Sequence, residues 1–410
     1  MLRREAMIRA GLVQYYSKTI LKNKTNVIDP CVYANIPWGV AHLALEQTYD
    51  DKDSAMTKLK ILKQVTCFNI GLLAYLMSKL KEILINKKIC KSVWFMRQAG
   101  RYLPEFRRIR SQNQNFIELC LNSDLSSEIT LQPIKRFNLD SAIIFSDILM
   151  VPYALGQKVN FVKDMGPQLG EFNFNLFTEN NKDTFVQKLQ PVYEAIHKTR
   201  NKLDKEKSLI AFVGAPWTLL IYMLDLKFNK NELDYEKIKS KREEINLILD
   251  EINEYLIIHI EKQIKAGADV VQIFDSWAGL IKPEDFINYC IIPNTKLVKF
   301  CKSKNIPVIC FPRGIGENYK RFNEMVKPDG LNIDYEVDPM WVKKNLKNVV
   351  IQGGLDPQIL LNSEEEIMNN TRRYLDVFKD LPYVFNLGHG LLPSTDPDKV
   401  EKLIKFYRNY

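Results

Sequence analysis

Two regimes of hydrophobic and polar patterning divide the chain. From about Ser78 onward, short apolar runs rich in β-branched and aromatic residues alternate with longer stretches whose apolar positions recur at helical spacing. Eight such runs stand out: Ser92–Met96, Ser141–Phe145, Leu209–Val213, Asp269–Phe274, Pro307–Phe311, Gly330–Ile333, Val349–Gln352 and Tyr383–Asn386. Runs separated by helices are the pattern of βα units around a parallel sheet, and eight units predict a closed (β/α)8 TIM barrel, one catalytic domain over residues 78–410. The helices carry their own signals. Ser123–Asp124 supplies a capping residue ahead of an apolar stripe, and Ser363-Glu-Glu-Glu-Ile is a capping-box start with acids on the positive end of the helix dipole. An open doubly wound sheet is the alternative architecture, but no Gly-x-Gly-x-x-Gly follows any early run.

Residues 1–77 follow a different rule. Met1–Lys24 carries Arg3, Arg4, Arg9, Lys18, Lys22 and Lys24 against the single acid Glu5, the basic and acid-poor bias of a transit peptide. A second apolar patch, Val65–Met77, has about the length of a signal-peptide core but lies far from the start. The extension reads either as a targeting leader or as a loosely helical appendage packed on the domain. With a Lys/Asn/Ile-rich drift that suggests a parasite-like genome, a relict plastid is the expected destination of a leader, and the cytosol the alternative. No apolar run reaches the ~18 residues of a membrane-spanning helix, so stable membrane insertion is not expected.

Composition narrows the classes further. The 410 residues are 46% hydrophobic and 26% charged, ordinary for a soluble globular protein with a full core. Seven cysteines, odd in number and scattered, form neither Cys-x-x-Cys nor His-x-Cys, so neither a disulfide framework nor a zinc site is signalled. The net charge of +9 admits nucleic acid, a membrane surface or an acidic small molecule as partner. Because the lysines are diluted among asparagine and isoleucine, they read as solvated surface, and no nucleic-acid partner is expected.

In a barrel of this kind the active site is built at the C-terminal ends of the strands. After the first run come Arg97, Arg101, Arg107, Arg108 and Arg110, five arginines in fourteen residues, with Gly100 for chain reversal. The planar guanidinium fork matches carboxylates bidentately and suits a polyanionic ligand. Arg107 and Arg108 are expected to face solvent, whereas Arg97 directly follows a buried run. After the second run, Asp147 is enclosed by apolar neighbours, which calls for donors or a cation nearby; a structural ion pair with an arginine is the plainer alternative. Gly214-Ala-Pro-Trp-Thr turns the chain after the third run and opens a helix whose second turn presents Tyr222, a site residue or simply core. Ser276, after the fourth run, either faces a ligand or caps the next helix. Gly353-Gly354 would let backbone N–H groups approach an anion. His389, one of four histidines, is flanked by glycines on the last loop, where core filler is not expected.

These segments, in this order, resemble the uroporphyrinogen decarboxylase family. Val93-Trp-Phe-Met-Arg-Gln-Ala-Gly-Arg-Tyr-Leu-Pro-Glu-Phe looks like its N-terminal signature and Gly214-Ala-Pro-Trp-Thr-Leu like its second, and Phe145-Ser-Asp-Ile-Leu, Phe274-Asp-Ser, Gly353-Gly-Leu-Asp-Pro and Gly388-His-Gly extend the match over about residues 78–410. The resemblance implies that Arg97, Arg101 and Arg110 meet substrate carboxylates, with Gln98, Ala99 and Gly100 in the same loop. It implies that Asp147 accepts hydrogen bonds from the central pyrrole N–H groups, and that Tyr222, Ser276 and His389 complete the cleft. Trp277 stands where some relatives place a histidine. A homodimer, no cofactor, and loss of four CO2 from a tetrapyrrole, uroporphyrinogen III, to give coproporphyrinogen III are likewise implied.

The chemistry suits these residue types. Loss of CO2 from an acetate leaves a carbanion unless the electrons flow elsewhere, and a pyrrole protonated on carbon is such a sink. Asp147 as a carboxylate would oppose the cation. The proton donor stays open between Arg97, alone or through a water, and His389, the conventional choice by pKa. A zinc-dependent corrinoid methyltransferase is the enzymatic rival, but Cys310-Phe-Pro-Arg has no histidine beside it. A tetrapyrrole-binding protein without catalysis is the non-enzymatic one.

Overall fold

Apolar runs that must be buried on both faces pair in parallel, with helices covering the outside. The computed structural model describes residues 77–162, 166–178, 181–229 and 232–410, and the calls made on Met1–Lys24 and Val65–Met77 fall on residues outside these, Met77 excepted. Seven of the eight expected runs are strands of one curled sheet: Ser141–Ile143, Ser208–Gly214, Val270–Asp275, Val308–Pro312, Gly330–Ile333, Val350–Gly353 and Tyr383–Val384. They lie side by side in chain order, each parallel to the next.

The first run, Ser92–Met96, closes the ring without being a regular strand. Val93 bridges Phe385 of the eighth run, and its carbonyl accepts from Asp140 N, next to the second, at 3.1 Å. Its ladder is broken because side chains take its donors. Val93 N donates to Asp140 Oδ2 (2.9 Å), Phe95 N to Gln98 Oε1 (3.0 Å) and Met96 N to Asn386 Oδ1 (3.1 Å).

The base of the barrel repeats one device three times. Asp140, Asp269 and Asp329 immediately precede or nearly precede the second, fourth and sixth strands, and each accepts the N–H of the neighbouring segment, from Val93 (2.9 Å), Leu209 (2.9 Å) and Val308 (3.0 Å). Each is also paired: Asp140 with Lys79 (3.2 Å), Asp269 with Arg200 (2.6 Å), Asp329 with Lys302 (3.5 Å). The helix Lys79–Asn86 plugs this end, its apolar stripe of Leu80, Ile83 and Leu84 packing with Trp94, Ile210, Ile309 and Val350. Gly330 makes room for it, since a Cβ there would lie 2.8 Å from Leu84 Cδ2.

Two capping expectations turn out differently. Ser363 and Glu366 do form a reciprocal capping box on the helix Glu364–Phe378. The helix Ser123–Phe137 is capped one residue earlier than expected, by Asn122, whose side chain accepts from Leu125 N at 3.1 Å.

Candidate active site

The mouth of the barrel is assembled from the loops that follow the strands. Arg97 ends the first run in the left-handed region, at φ 59°, a conformation that non-glycine residues adopt only when the surroundings enforce it. Gln98 enforces it. Its side chain is buried and accepts from Phe95 N while donating to Ser141 O at 3.0 Å, and its carbonyl accepts from the Tyr102 hydroxyl at 2.8 Å. The Gln98 amide, expected in contact with substrate, is therefore engaged with backbone and braces the turn. Gly390 clears space for Arg97, because a Cβ there would fall 2.4 Å from Arg97 Cδ.

Arg97 is open to solvent, yet protein crowds it closely enough that desolvation holds its guanidinium below the usual range, with Asp147 opposing that shift. A side chain in an open cleft has both properties. Asp147 is half-buried, its Oδ1 accepting from Leu149 N at 2.9 Å. Burial pushes its carboxyl up to about 6, against the pull of that N–H and of Arg97. No ion pair within the described residues ties Asp147 to an arginine, so the alternative of a structural salt bridge is not realised there. The Tyr222 phenol is raised by burial, and both Asp147 and Arg97 act on it. Its ring meets Trp277 edge to face at 6.0 Å between centroids.

His389 joins this group from the last loop. Burial first, then the positive charges of Arg97 and Arg313, bring its imidazole down to about 4. It is therefore neutral at pH 7, which weakens the pKa argument for His389 as the resident acid. Ser276 is half-buried and does not cap the short 3-10 turn Ala278–Leu280 that follows it. Behind it, buried Asp275 accepts from Thr218 Oγ1 (2.8 Å) and Asn294 Nδ2 (3.1 Å), fixing the strand end from which Ser276 and Trp277 project.

Other expected members are placed differently. Arg101 is exposed and Ala99 and Gly100 half-buried in the same turn. Arg110 stacks over Phe116 at 5.8 Å and donates to Asn113 O, on a flank where Phe116, Tyr153 and Phe161 line a separate cavity. Arg107 faces solvent as expected, and its guanidinium also donates to Arg101 O (3.0 Å) and Tyr102 O (2.9 Å), tying down the loop that carries Arg101. Gly353 and Gly354 are buried with positive φ, and Cβ atoms there would strike Asn332 and Tyr374. Close packing thus accounts for them in place of anion binding.

Sequence reasoning passed over Arg313. It follows the fifth strand as Arg97 follows the first run, and its backbone is pinned: Arg313 N donates to Asp275 O (3.1 Å) and its carbonyl accepts from Gly279 N (2.9 Å). Buried Asp334 holds the next residue, accepting from Gly314 N at 2.7 Å and from the Tyr319 hydroxyl at 3.0 Å. Among the described residues, Arg97, Arg101 and Arg313 have no carboxylate partner, whereas Arg136, Arg200, Arg242, Arg373 and Arg408 each have one. No three His, Cys, Asp or Glu side chains there gather in a metal-holding arrangement.

The family model described as uroporphyrinogen decarboxylase matches residues 90–410. The chain belongs to the uroporphyrinogen decarboxylase family. Uroporphyrinogen decarboxylases of Rickettsia bellii and Cereibacter sphaeroides are 42% and 39% identical to it over 78% and 77% of this chain, and over 94% of their own lengths. Among solved structures, a methyltransferase from Methanosarcina mazei superposes with a TM-score of 0.66 at 18% identity, covering 80% of this chain and 97% of that one. At that identity the likeness concerns the fold alone, and it agrees with the barrel. As in its family, the enzyme is a carboxy-lyase, and its acidic tetrapyrrole class of substrate fits a cleft with three unpaired guanidiniums.

Proposed function

We propose that this chain converts uroporphyrinogen III to coproporphyrinogen III by removing the carboxyl groups of four acetate side chains. The observation that carries the reading is the charge arrangement at the barrel mouth: Arg97 without an ion-pair partner among the described residues, within electrostatic reach of Arg101, of Arg313 and of one half-buried carboxylate, Asp147. Unpaired cations in a partly dehydrated cleft are stabilised by an anion that arrives with several carboxylates.

Each round begins with a proton added to a ring carbon of the acetate-bearing pyrrole, which leaves the ring cationic. The C–CO2 bond then breaks and its electron pair neutralises the ring, forming an exocyclic methylene. A proton added to that methylene and a proton lost from the ring restore the pyrrole, so the net change is CO2 replaced by H. Asp147 opposes the cation, accepts from the pyrrole N–H groups and stays ionised above about pH 6. Arg97, alone or through a water, is the proton source beside it; neutral His389 hydrogen-bonds the substrate. The electron sink is the substrate's own ring, so no cofactor is required.

Incubating the protein anaerobically with reduced uroporphyrinogen and separating the products by carboxylate number tests this. The expected product has four carboxylates in place of eight, at a rate unchanged by a chelator; unaltered octacarboxylate would refute the assignment. A homodimer and delivery to a relict plastid belong to the same proposal, on family resemblance and on the basic leader respectively. Sedimentation as a monomer, or a reporter fused to residues 1–80 that stays in the cytosol, would remove them.

A further inference from the structure

Lys227 lies on the hairpin strand Lys227–Asn229, outside every motif considered so far. Its Nζ sits 4.4 Å from the centre of the Tyr222 ring and 4.2 Å from that of Trp277. Those rings form the wall that joins the third and fourth loops, and Tyr222 feels the charges of Asp147 and Arg97. The ammonium is therefore held at the cleft by two aromatic faces. It is half-buried, and desolvation holds its pKa below the usual lysine range, opposed by Asp225 alone. Among the described residues Nζ has no hydrogen-bond acceptor and no ion-pair partner; its contacts are the two rings.

A lysine that only glued two rings together would keep its head in water, as long charged side chains do at a surface. Here the head is wedged against two rings, half-buried and with no protein acceptor among the described residues, so its donors are open to an acceptor that arrives with a ligand. Neither ring can carry that positive charge itself. We propose that Lys227 is a further carboxylate-binding residue of the cleft, presenting its ammonium from the Tyr222–Trp277 wall to one carboxylate of the tetrapyrrole. The inference rests on the reading of the cleft as a polycarboxylate site, and adds to it a cation from a hairpin instead of a barrel loop.

The test compares the unaltered chain with Lys227→Met, which keeps the apolar stem, and Lys227→Arg, which keeps the charge. KM and kcat for uroporphyrinogen are measured across a range of ionic strength, and the Kd of the fluorescent oxidised octacarboxylate, uroporphyrin, is measured on the same proteins. Loss of one charge-assisted contact raises KM and Kd about tenfold in Lys227→Met, with kcat falling much less and the salt dependence flattened. Arginine restores both constants to within about threefold of the unaltered chain. Unchanged KM and Kd in Lys227→Met, or equal behaviour of methionine and arginine, would overturn the inference by reducing Lys227 to wall packing. An unaltered chain that binds uroporphyrin but turns over no uroporphyrinogen would count against the functional reading, while the Kd comparison still decides the role of Lys227.

Discussion

At the base of the barrel Asp140, Asp269 and Asp329 each meet a basic side chain and a strand N–H, whereas at the mouth Arg97, Arg101 and Arg313 meet no carboxylate among the described residues. The same eight segments run between these two ends. At the base, charge is neutralised in place and an apolar helix seals the opening. At the mouth, Asp147 beside Arg97 is held up near pKa 6 by burial, and His389 is held neutral by burial first and then by the guanidiniums of Arg97 and Arg313. The difference separates residues that keep the barrel folded from residues held ready for a ligand, as expected for the two faces of this architecture.

The largest effect is expected at Arg97. Arg97→Ala should abolish decarboxylation with an unchanged circular dichroism spectrum, and Arg97→Lys should remain badly impaired because the charge survives without the fork. Substantial turnover by a folded Arg97→Ala would reduce the arginines to a diffuse positive field.

The base gives the converse. Leu84 is buried under the barrel against Gly330, so Leu84→Ala should lower stability by about 3 kcal/mol, the scale of a large-to-small change in a core. Denaturant unfolding reads the loss, and kcat of the folded fraction should stay within about twofold. A chain begun at Ser78 keeps this helix and is expected to fold and turn over.

The acid limb of kcat/KM sharpens the contrast. Asp147 must be ionised to oppose the cation and protonates as pH falls through about 6, so kcat/KM should drop about tenfold per unit below that point. His389, at about 4, titrates only further down. A limb centred near 4 would take Asp147 out of the profile.

The smallest effect distinguishes two adjacent arginines. Arg107 ties the carbonyls of Arg101 and Tyr102 and should cost about 1 kcal/mol in transition-state stabilisation when changed to alanine. Arg108, exposed, should cost less than about 0.5 kcal/mol. Equal kcat/KM values for the two alanine variants would show that the loop needs no tether.

Runs buried on both faces read as continuous apolar segments, which is why seven strands and the ring-closing first segment were legible. The irregularity of Ser92–Met96 was not, because the groups that take its donors, on Asp140, Gln98 and Asn386, meet it only in three dimensions. Residues directly after a run were good candidates for the mouth, and Asp147, Tyr222 and His389 do each come within electrostatic reach of Arg97 there. The inward turn of Gln98 depends on the positive φ of Arg97, which no local pattern announces. Arg313 obeyed the same end-of-strand rule but was read only for metal ligands, and Lys227 arrives from a hairpin that the alternation of runs and helices does not display.

The central claim is tested most directly by paired substitutions at the two ends, Asp147→Asn and Asp269→Ala, with turnover and unfolding midpoint measured on the same preparations at pH 7 and pH 4. At pH 7 native Asp147 is ionised at a burial cost that lifts its pKa above the ordinary carboxylate value; below about 4 it is neutral whether folded or unfolded, and the cost vanishes. Asp147→Asn should therefore lose about a hundredfold or more in kcat/KM, while its midpoint rises at pH 7 and matches the unaltered chain near pH 4. Asp269→Ala strands the Leu209 N–H and leaves Arg200 without its carboxylate, so its midpoint should fall while kcat stays within about threefold. A stabilised Asp147→Asn without activity beside a destabilised, active Asp269→Ala is the predicted result; an active Asp147→Asn, or an Asp269→Ala that is folded but inactive, would contradict it.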